Sequence, residues 1–549
     1  MKFRKLLLTL FIFIFAFPLM LTPAQAQTSK SLNIAFVQDI DTMNYGMYSN
    51  QYFSSILMTL WNSPPWVFDQ NLKATPRLVT EVPTTENGDV SADGKTITLH
   101  LRKDIKWSDN EPITSADFVF TYKMYMDNAN AVVSRSPYDQ MASVTAPDPQ
   151  TVVVTFNDVY APWLTSIFLS VMPQHILQPV FDKDGTLDNA DFNRLPSVSS
   201  GPFIAADRQT GNYILFKRND NYFDAPAKLD QIYIRIVPDD AAQVAALLND
   251  DVDLGIFIAP DDAKTLQEKG VNIVTVNSGY NEGIFFNFKP NSGHDAIQDL
   301  AVRQAIAYGL NRDGIAADLL KYGSGPDDHN VIADTYWHDT PWANPAIHHE
   351  QFDADKAKQL LQDDGWIPGS DGIREKNGQR LHLTWATNDR TLRTQVQAVG
   401  QQQLKDIGIE TELVNLPSDT FFGSYGDGNP VAQGKYDFWE YSDTTSFPDP
   451  NTDYWKCSEI PTDANPSGVN NQYLCDKQLD ALFSDESHSA DPDVRKQDFF
   501  KIQQLIADNL YWMPLWHDPD LWALNAKLQN INLAPTTQFW NSANWDISS

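Results

Sequence analysis

Cysteine is nearly absent, with Cys457 and Cys475 as the whole complement of a 549-residue chain. That excludes a small disulfide-stapled scaffold, and with no matching Cys or His spacing it speaks against a zinc site. Basic residues are also few: 40 Lys and Arg stand against 71 Asp and Glu, a formal charge of −31. So acidic a surface repels phosphate backbones and anionic lipid, so nucleic acid is not an expected partner. Catalytic signatures are missing too. There is no G-x-x-x-x-G-K-[ST] loop, no G-x-S-x-G elbow and no H-E-x-x-H pair. His348, His349 and Glu350 are adjacent, but consecutive side chains do not converge on one helix face, and they read as a solvated loop. Gly323-Ser324-Gly325 reads as a turn, and no cofactor or metal is expected. Carboxylate pairs discriminate nothing among so many acids. Because the two carboxylates of a glycosidase need not be close in sequence, an exported hydrolase remains the rival class.

What is present begins at the N-terminus. Lys2, Arg4 and Lys5 precede the apolar run Leu6–Leu21, and Ala24-Gln25-Ala26 follows as a small-x-small cleavage site. This order reads as a secretory signal peptide over 1–26. No cysteine near that point could carry a lipid, so a free periplasmic or extracellular protein is expected. In an oxidising compartment the two cysteines are expected to pair, a loop closure worth about 3 kcal/mol.

The remaining chain alternates between two hydrophobic periods. Ile97, Leu99 and Leu101 share one face of a strand, and Ser91–Gly94 before it is a hairpin turn. That turn resembles a calcium loop in part, but its twelfth position is His100, where a bidentate Glu is needed. Thr114 and Asp117 form a capping box ahead of a helix presenting Phe118, Tyr122 and Met126. Residues 151–157, 212–218, 231–238 and 271–277 read as strands, and 239–257 as a helix leading into a short strand. Residues 381–387, a helix to Gly408 and 409–416 form a β-α-β unit, and Phe499, Ile502, Ile506 and Leu510 mark a late helix. The class is mixed α/β with substantial cores and no tandem repeat.

One stretch stands out: "YDFWEYSDTTSFPDPNTDYW", ending at Trp455, where aromatics, acids and prolines are interleaved. Four blocks in order, this one included, resemble the family 5 extracellular solute-binding proteins of ABC importers. Leu99–Asp127 carries the strand, the W-x-D-N-x-P turn and the capped helix. Ser199–Phe223 carries Gly201-Pro202-Phe203 and Arg218-Asn219. Asn287–Ile315 carries Val302-Arg303-Gln304-Ala305 and Asn311-Arg312, and the stretch itself carries Tyr436-Asp437 and Pro448-Asp449-Pro450. The resemblance covers essentially the whole chain after 26.

It implies a periplasmic-binding-protein-like α/β fold: two lobes with a hinge, plus an inserted third domain (type II, cluster C). The implied segments are 27–55, 195–279 and 510–549 for the first lobe, 56–194 for the insertion and 280–509 for the second lobe. It implies a monomer that captures oligopeptide by lobe closure and delivers it to ABC permease membrane subunits, with no enzymatic step. In peptide-binding members the ligand main chain adds as a strand. The matching segments here are Asp39-Ile40-Asp41 and Ser442-Asp443-Thr444, with Tyr45, Trp439, Tyr441 and Phe447 as pocket walls. Where the family usually places the Asp that pairs with the ligand ammonium, this chain has Ser446. Either Asp443, Asp41 or Glu440 takes the amine, or the ligand lacks one. An oligosaccharide is the alternative, with Trp439 and Trp455 as stacking platforms.

Overall fold

The structure is a computed structural model, and it describes residues 29–49, 52–320, 332–338, 340, 342–444, 449–450 and 452–548. The expected signal peptide, Gly323–Gly325, Ser446 and Phe447 lie outside the described residues.

Ten strands form one mixed sheet: β1 (Ser31–Phe36), β2 (Phe203–Gln209), β3 (Tyr213–Arg218), β4 (Gln231–Ile236), β5 (Leu254–Gly255), β6 (Asn272–Phe286), β7 (His382–Asn388), β8 (Glu410–Leu416), β9 (Phe438–Thr444) and β10 (Trp512–Leu524). Their spatial order is β8-β7-β9-β6-β10-β5-β1-β4-β3-β2. Strands β6 and β10 are the longest, at 15 and 13 residues, and they pair antiparallel from Asn272↔Leu524 to Phe285↔Trp512. At one end β10 pairs with β5. At the other, β6 pairs with β9 from Tyr280↔Thr444 to Phe286↔Phe438. These two strands therefore carry the sheet from one lobe to the other. Register shifts fall between Asn277 and Asn281 and between Glu282 and Gly283, irregularities that bend and twist a ladder locally.

Separate cores sit along this sheet. Leu32, Ile34, Phe36, Ile232, Ile234 and Trp522 pack together around β1 and β4. Ile284, Phe286, Trp385, Phe438 and Trp516 pack on one face of β6 and β9, and Phe285, Trp439, Trp455 and Trp512 on the other. Each such aliphatic or aromatic side chain contributes about 1.5–3 kcal/mol by leaving water. A further core joins Ile97, Leu99, Val152 and Val154 to Phe118 and Tyr138. It lies between a three-stranded sheet (Thr96–His100, Met141–Asp148, Thr151–Phe156) and helix α1 (Ser115–Met126). Helices α2 (Asp240–Leu248), α3 (Thr391–Asp406) and α4 (Pro492–Asp508) follow in the chain.

The residues that carried the family pattern hold this architecture in place. Thr114 and Asp117 make both bonds of the capping box. At Gly201 a Cβ would lie 2.5 Å from the Leu60 carbonyl oxygen, so only glycine lets the two backbones approach. Buried Arg303 donates to the carbonyls of Ile297, Gln298, Asn509 and Leu510 at 2.7–3.1 Å. Arg312 donates to the Pro514 carbonyl at 2.8 Å. Asp437 accepts from the Thr384 backbone and hydroxyl, each at 2.7 Å, and lies 2.8 Å from His294 Nδ1, tying β7 to β9. Cys457 and Cys475 are bonded, with Cα atoms 4.7 Å apart.

The interlobe cleft as candidate binding site

Strand alternation gives β9 two faces of different chemistry. Trp439, Tyr441 and Asp443 point to one side. Trp439 is fully buried beside Phe285, and Tyr441 stacks on Phe285 with ring centroids 4.5 Å apart. The Asp443 carboxylate accepts from Tyr336 Oη at 2.7 Å and, at 3.4 Å, from Tyr441 Oη. Tyr454 lies close enough that the charge of Asp443, more than burial, raises its phenol well above the usual range. Trp455 is fully buried against Tyr336.

The other face carries Phe438, Glu440 and Ser442. Ser442 Oγ accepts from Arg393 Nη2 at 2.7 Å and donates to Glu282 Oε2 at 3.0 Å. Arg393, in the first turn of α3, grips Glu282 through Nε and Nη2 at 3.0–3.2 Å and donates to Asn388 Oδ1 at 2.9 Å. Glu440 is fully buried, and neither of its oxygens has a hydrogen-bond partner among the described residues. Asp518 of β10 accepts from Trp516 Nε1 at 3.1 Å. Thr444 ends the strand opposite Tyr280.

The N-terminal segment faces this region from the other lobe. Asp39 is occupied locally, accepting from the backbone of Ile40 (2.8 Å) and Gly211 (2.7 Å). Ile40 is buried, and its carbonyl accepts from Arg208. Asp41 is exposed and accepts from the Thr42 backbone at 2.7 Å and the Ser54 hydroxyl at 3.1 Å. Tyr45 is half-buried, its phenol pushed up to about 12 by burial, with Asp41 adding to the shift. An ionised Tyr45 phenolate would add to the upward shift at Tyr454, so the two side chains lie near each other.

Contacts cross between the lobes. Arg390, just before α3, reaches the Phe257 carbonyl at 3.4 Å, and Thr391 reaches Asp240 at 3.4 Å. On the other flank the Ala161 backbone donates to the Ser487 carbonyl at 2.9 Å, and Ser467 donates to that of Val132 at 3.2 Å. Tyr336, Tyr454, Arg390, Arg393, Glu282 and Asp518 are the site residues that sequence reading passed over. Only Tyr454 had a signal, since it lies inside the aromatic stretch.

The architecture is that of a two-lobed α/β protein with an aromatic, acidic cleft. The comparisons give the family. The chain matches the bacterial extracellular solute-binding proteins, family 5, over residues 73–460, and belongs to that family. It is similar to the oligopeptide-binding protein AppA of Bacillus subtilis (strain 168), 26% identical over 81% of this chain and 80% of that protein. It is also similar to the nickel-binding periplasmic protein of Escherichia coli (strain K12), 26% identical over 62% of this chain and 63% of the relative. Among solved structures, AppA from Bacillus subtilis in complex with a nonapeptide superposes with a TM-score of 0.81 at 23% identity, covering 95% of this chain and 100% of that one. NikZ from Campylobacter jejuni in complex with Ni(L-His) gives 0.80 at 22% identity, covering 94% and 99%. The fold is thus the two-lobed type II binding-protein fold. No helix among the described residues is long and apolar enough to cross a membrane.

Proposed function

We propose that this protein captures oligopeptides between its lobes outside the cytoplasm and delivers them to the membrane subunits of an ABC permease. One observation carries the peptide reading. The β7–β9 ladder covers only Trp385↔Phe438 and Ala386↔Trp439, whereas β9 runs on to Thr444 paired with β6 alone. Beyond Glu440, at Tyr441 and Ser442, the β7-side edge of β9 offers backbone groups to an added strand. That is how an extended peptide is bound without regard to its side chains. Tyr45, Tyr441 and Tyr454 would then wall the pocket, with Asp41 and Asp443 as the carboxylates nearest a ligand ammonium. Glu440 is too deeply buried for that role. The relative solved with a nonapeptide supports the same reading.

Trp439 and Trp455 are both buried, which favours the peptide reading over the oligosaccharide alternative. Nickel chelates are the cargo named for other relatives and are an outcome of the test. The segments 27–55, 195–279 and 510–549, then 56–194, then 280–509, are proposed as first lobe, insertion and second lobe, in keeping with the separate cores. Residues 1–26 are proposed to be removed on export, and the mature protein to work as a monomer without catalysis.

The test is native mass spectrometry of freshly purified protein, followed by denaturing release of what co-purifies. Adducts that sequence as peptides are the expected result. A nickel-containing or hexose-spaced adduct in their place overturns the peptide reading while leaving the binding-protein role intact.

A further inference from the structure

Strands β7, β8 and β9 run parallel, so their carboxyl ends lie along one edge of the second lobe, the place where parallel sheets take ligands. That edge faces the first lobe, because Arg390, just after β7, reaches the Phe257 carbonyl. The chain leaving β8 forms a short helix at Ser418–Phe421. It is tied to the end of β7, where Asn388 Nδ2 donates to Ser418 Oγ at 2.8 Å. Two aromatic residues end this segment, and they differ. Phe421 is 3% exposed and belongs to the core that holds Phe285 and Trp439, whereas Phe422 is 40% exposed. Their rings meet edge to face with centroids 4.9 Å apart, and both meet Tyr441 in the same way, at 6.1 and 5.8 Å. Tyr441 therefore has Phe285 of β6 stacked on one flank and this pair arriving from the β7 side.

Scattered exposed apolar side chains are ordinary. Phe422 is set apart by the strand edge beside it. The β7–β9 ladder ends at Ala386↔Trp439, and the Thr387 hydroxyl then donates to the Glu440 carbonyl at 2.8 Å. Backbone groups alternate between the two edges of a strand, so Ser442 is the next residue to face the β7 side. A strand added there continues the line of β7 past its end, and every second side chain of it points to the face that carries Tyr441. On that face it meets the half-buried ring of Tyr441 and the open side of Phe422.

We propose that Phe422 and Tyr441 form an apolar subsite that selects oligopeptides carrying a bulky apolar side chain, leucine-sized or aromatic, at one fixed position. The inference rests on the peptide reading and adds what backbone pairing alone leaves open, the side chain that the cleft prefers. A ligand alanine at this position leaves the Phe422 ring in water. A leucine or phenylalanine covers it, with no charge to desolvate, and an aromatic side chain adds ring-to-ring contact with both residues.

The test incubates the full chain, Phe422→Ala and Phe422→Tyr with an excess of a tryptic digest of casein, then releases and sequences the peptides that stay bound. For the wild type, bulky apolar residues are expected to be enriched over the digest by about tenfold at one position counted from the peptide N-terminus. Phe422→Ala is expected to bring that enrichment down to about twofold or less, and Phe422→Tyr to keep most of it. The exposed ring can be removed while buried Phe421 stays in place, so Phe422→Ala is expected to fold, which an unchanged thermal unfolding midpoint verifies. Capture with no preferred position, or an enrichment that Phe422→Ala leaves unchanged, overturns the subsite and leaves the peptide reading intact. A wild type that captures no peptide overturns both.

Discussion

The two faces of β9 handle a buried carboxylate in opposite ways. On the aromatic face Asp443 is 4% exposed and accepts from the hydroxyls of Tyr336 and Tyr441. On the charged face, a few residues earlier on the same strand, Glu440 is fully buried with no donor among the described residues. A carboxylate given neutral donors can stay ionised in a poorly hydrated place, whereas one given none becomes an acid. The same side-chain chemistry is thus held as a hydrogen-bond acceptor on one face and pushed toward the neutral acid on the other, depending on which way the strand turns it.

Removing Arg393 breaks the charged face most severely. Arg393→Met leaves Glu282 buried without its cation and is expected to cost about 3–5 kcal/mol. Chemical denaturation at neutral pH measures this. On the aromatic face, Tyr336→Phe deletes a bond to an ionised acceptor, with an expected loss of about 1.5–3 kcal/mol. Gly283 lies opposite Tyr441 on β6, and a Cβ there would sit 2.2 Å from the Trp512 ring. Gly283→Ala is expected to cost about 1–3 kcal/mol by overpacking, with the Trp512 fluorescence environment altered. The smallest effect sharpens the comparison. Glu440→Gln, which keeps the shape and removes the charge, is expected to change stability by less than about 1 kcal/mol in mild acid. Burial raises the Glu440 carboxyl well above its usual value. Its contribution is therefore fully present below the unfolded value and lost as pH rises through the folded one. The variant should gain on wild type as pH climbs from about 5 to about 9. A urea-midpoint difference that stays constant over that range would show Glu440 to be ionised throughout.

Much of the fold was legible because period-2 and period-3.6 patterns report burial locally. The strands expected at 151–157, 212–218 and 231–238 stand at Thr151–Phe156, β3 and β4, and the β-α-β unit at 381–416 stands as β7, α3 and β8. Gly408 ends α3 at φ 95°. The strand at 271–277 was seen only by its first half. Its continuation through Gly279, Asn281, Glu282 and Gly283 lacks strand composition, and partners on both sides hold it extended. The site was less legible for a related reason. Alternation shows that Ser442 and Glu440 share a face of β9, but not whether that face meets a ligand or Arg393, which arrives from a helix 49 residues away. Likewise Trp439 is as aromatic as any pocket wall, and only the packing of Phe285 against it shows that it belongs to the core.

The two strands that join the lobes are hydrogen-bonded to each other on both sides of their register shift. Loose parallel tethers would let the halves slide, rotate and separate independently. A paired ribbon resists shear and stretch, because either would break ladder bonds, but it yields to twist where the ladder is irregular. The molecule is therefore a clasp with one soft axis. Its opening angle is governed by the few residues from Asn277 to Glu282 and their partners, so loop lengths elsewhere can vary without changing how it shuts.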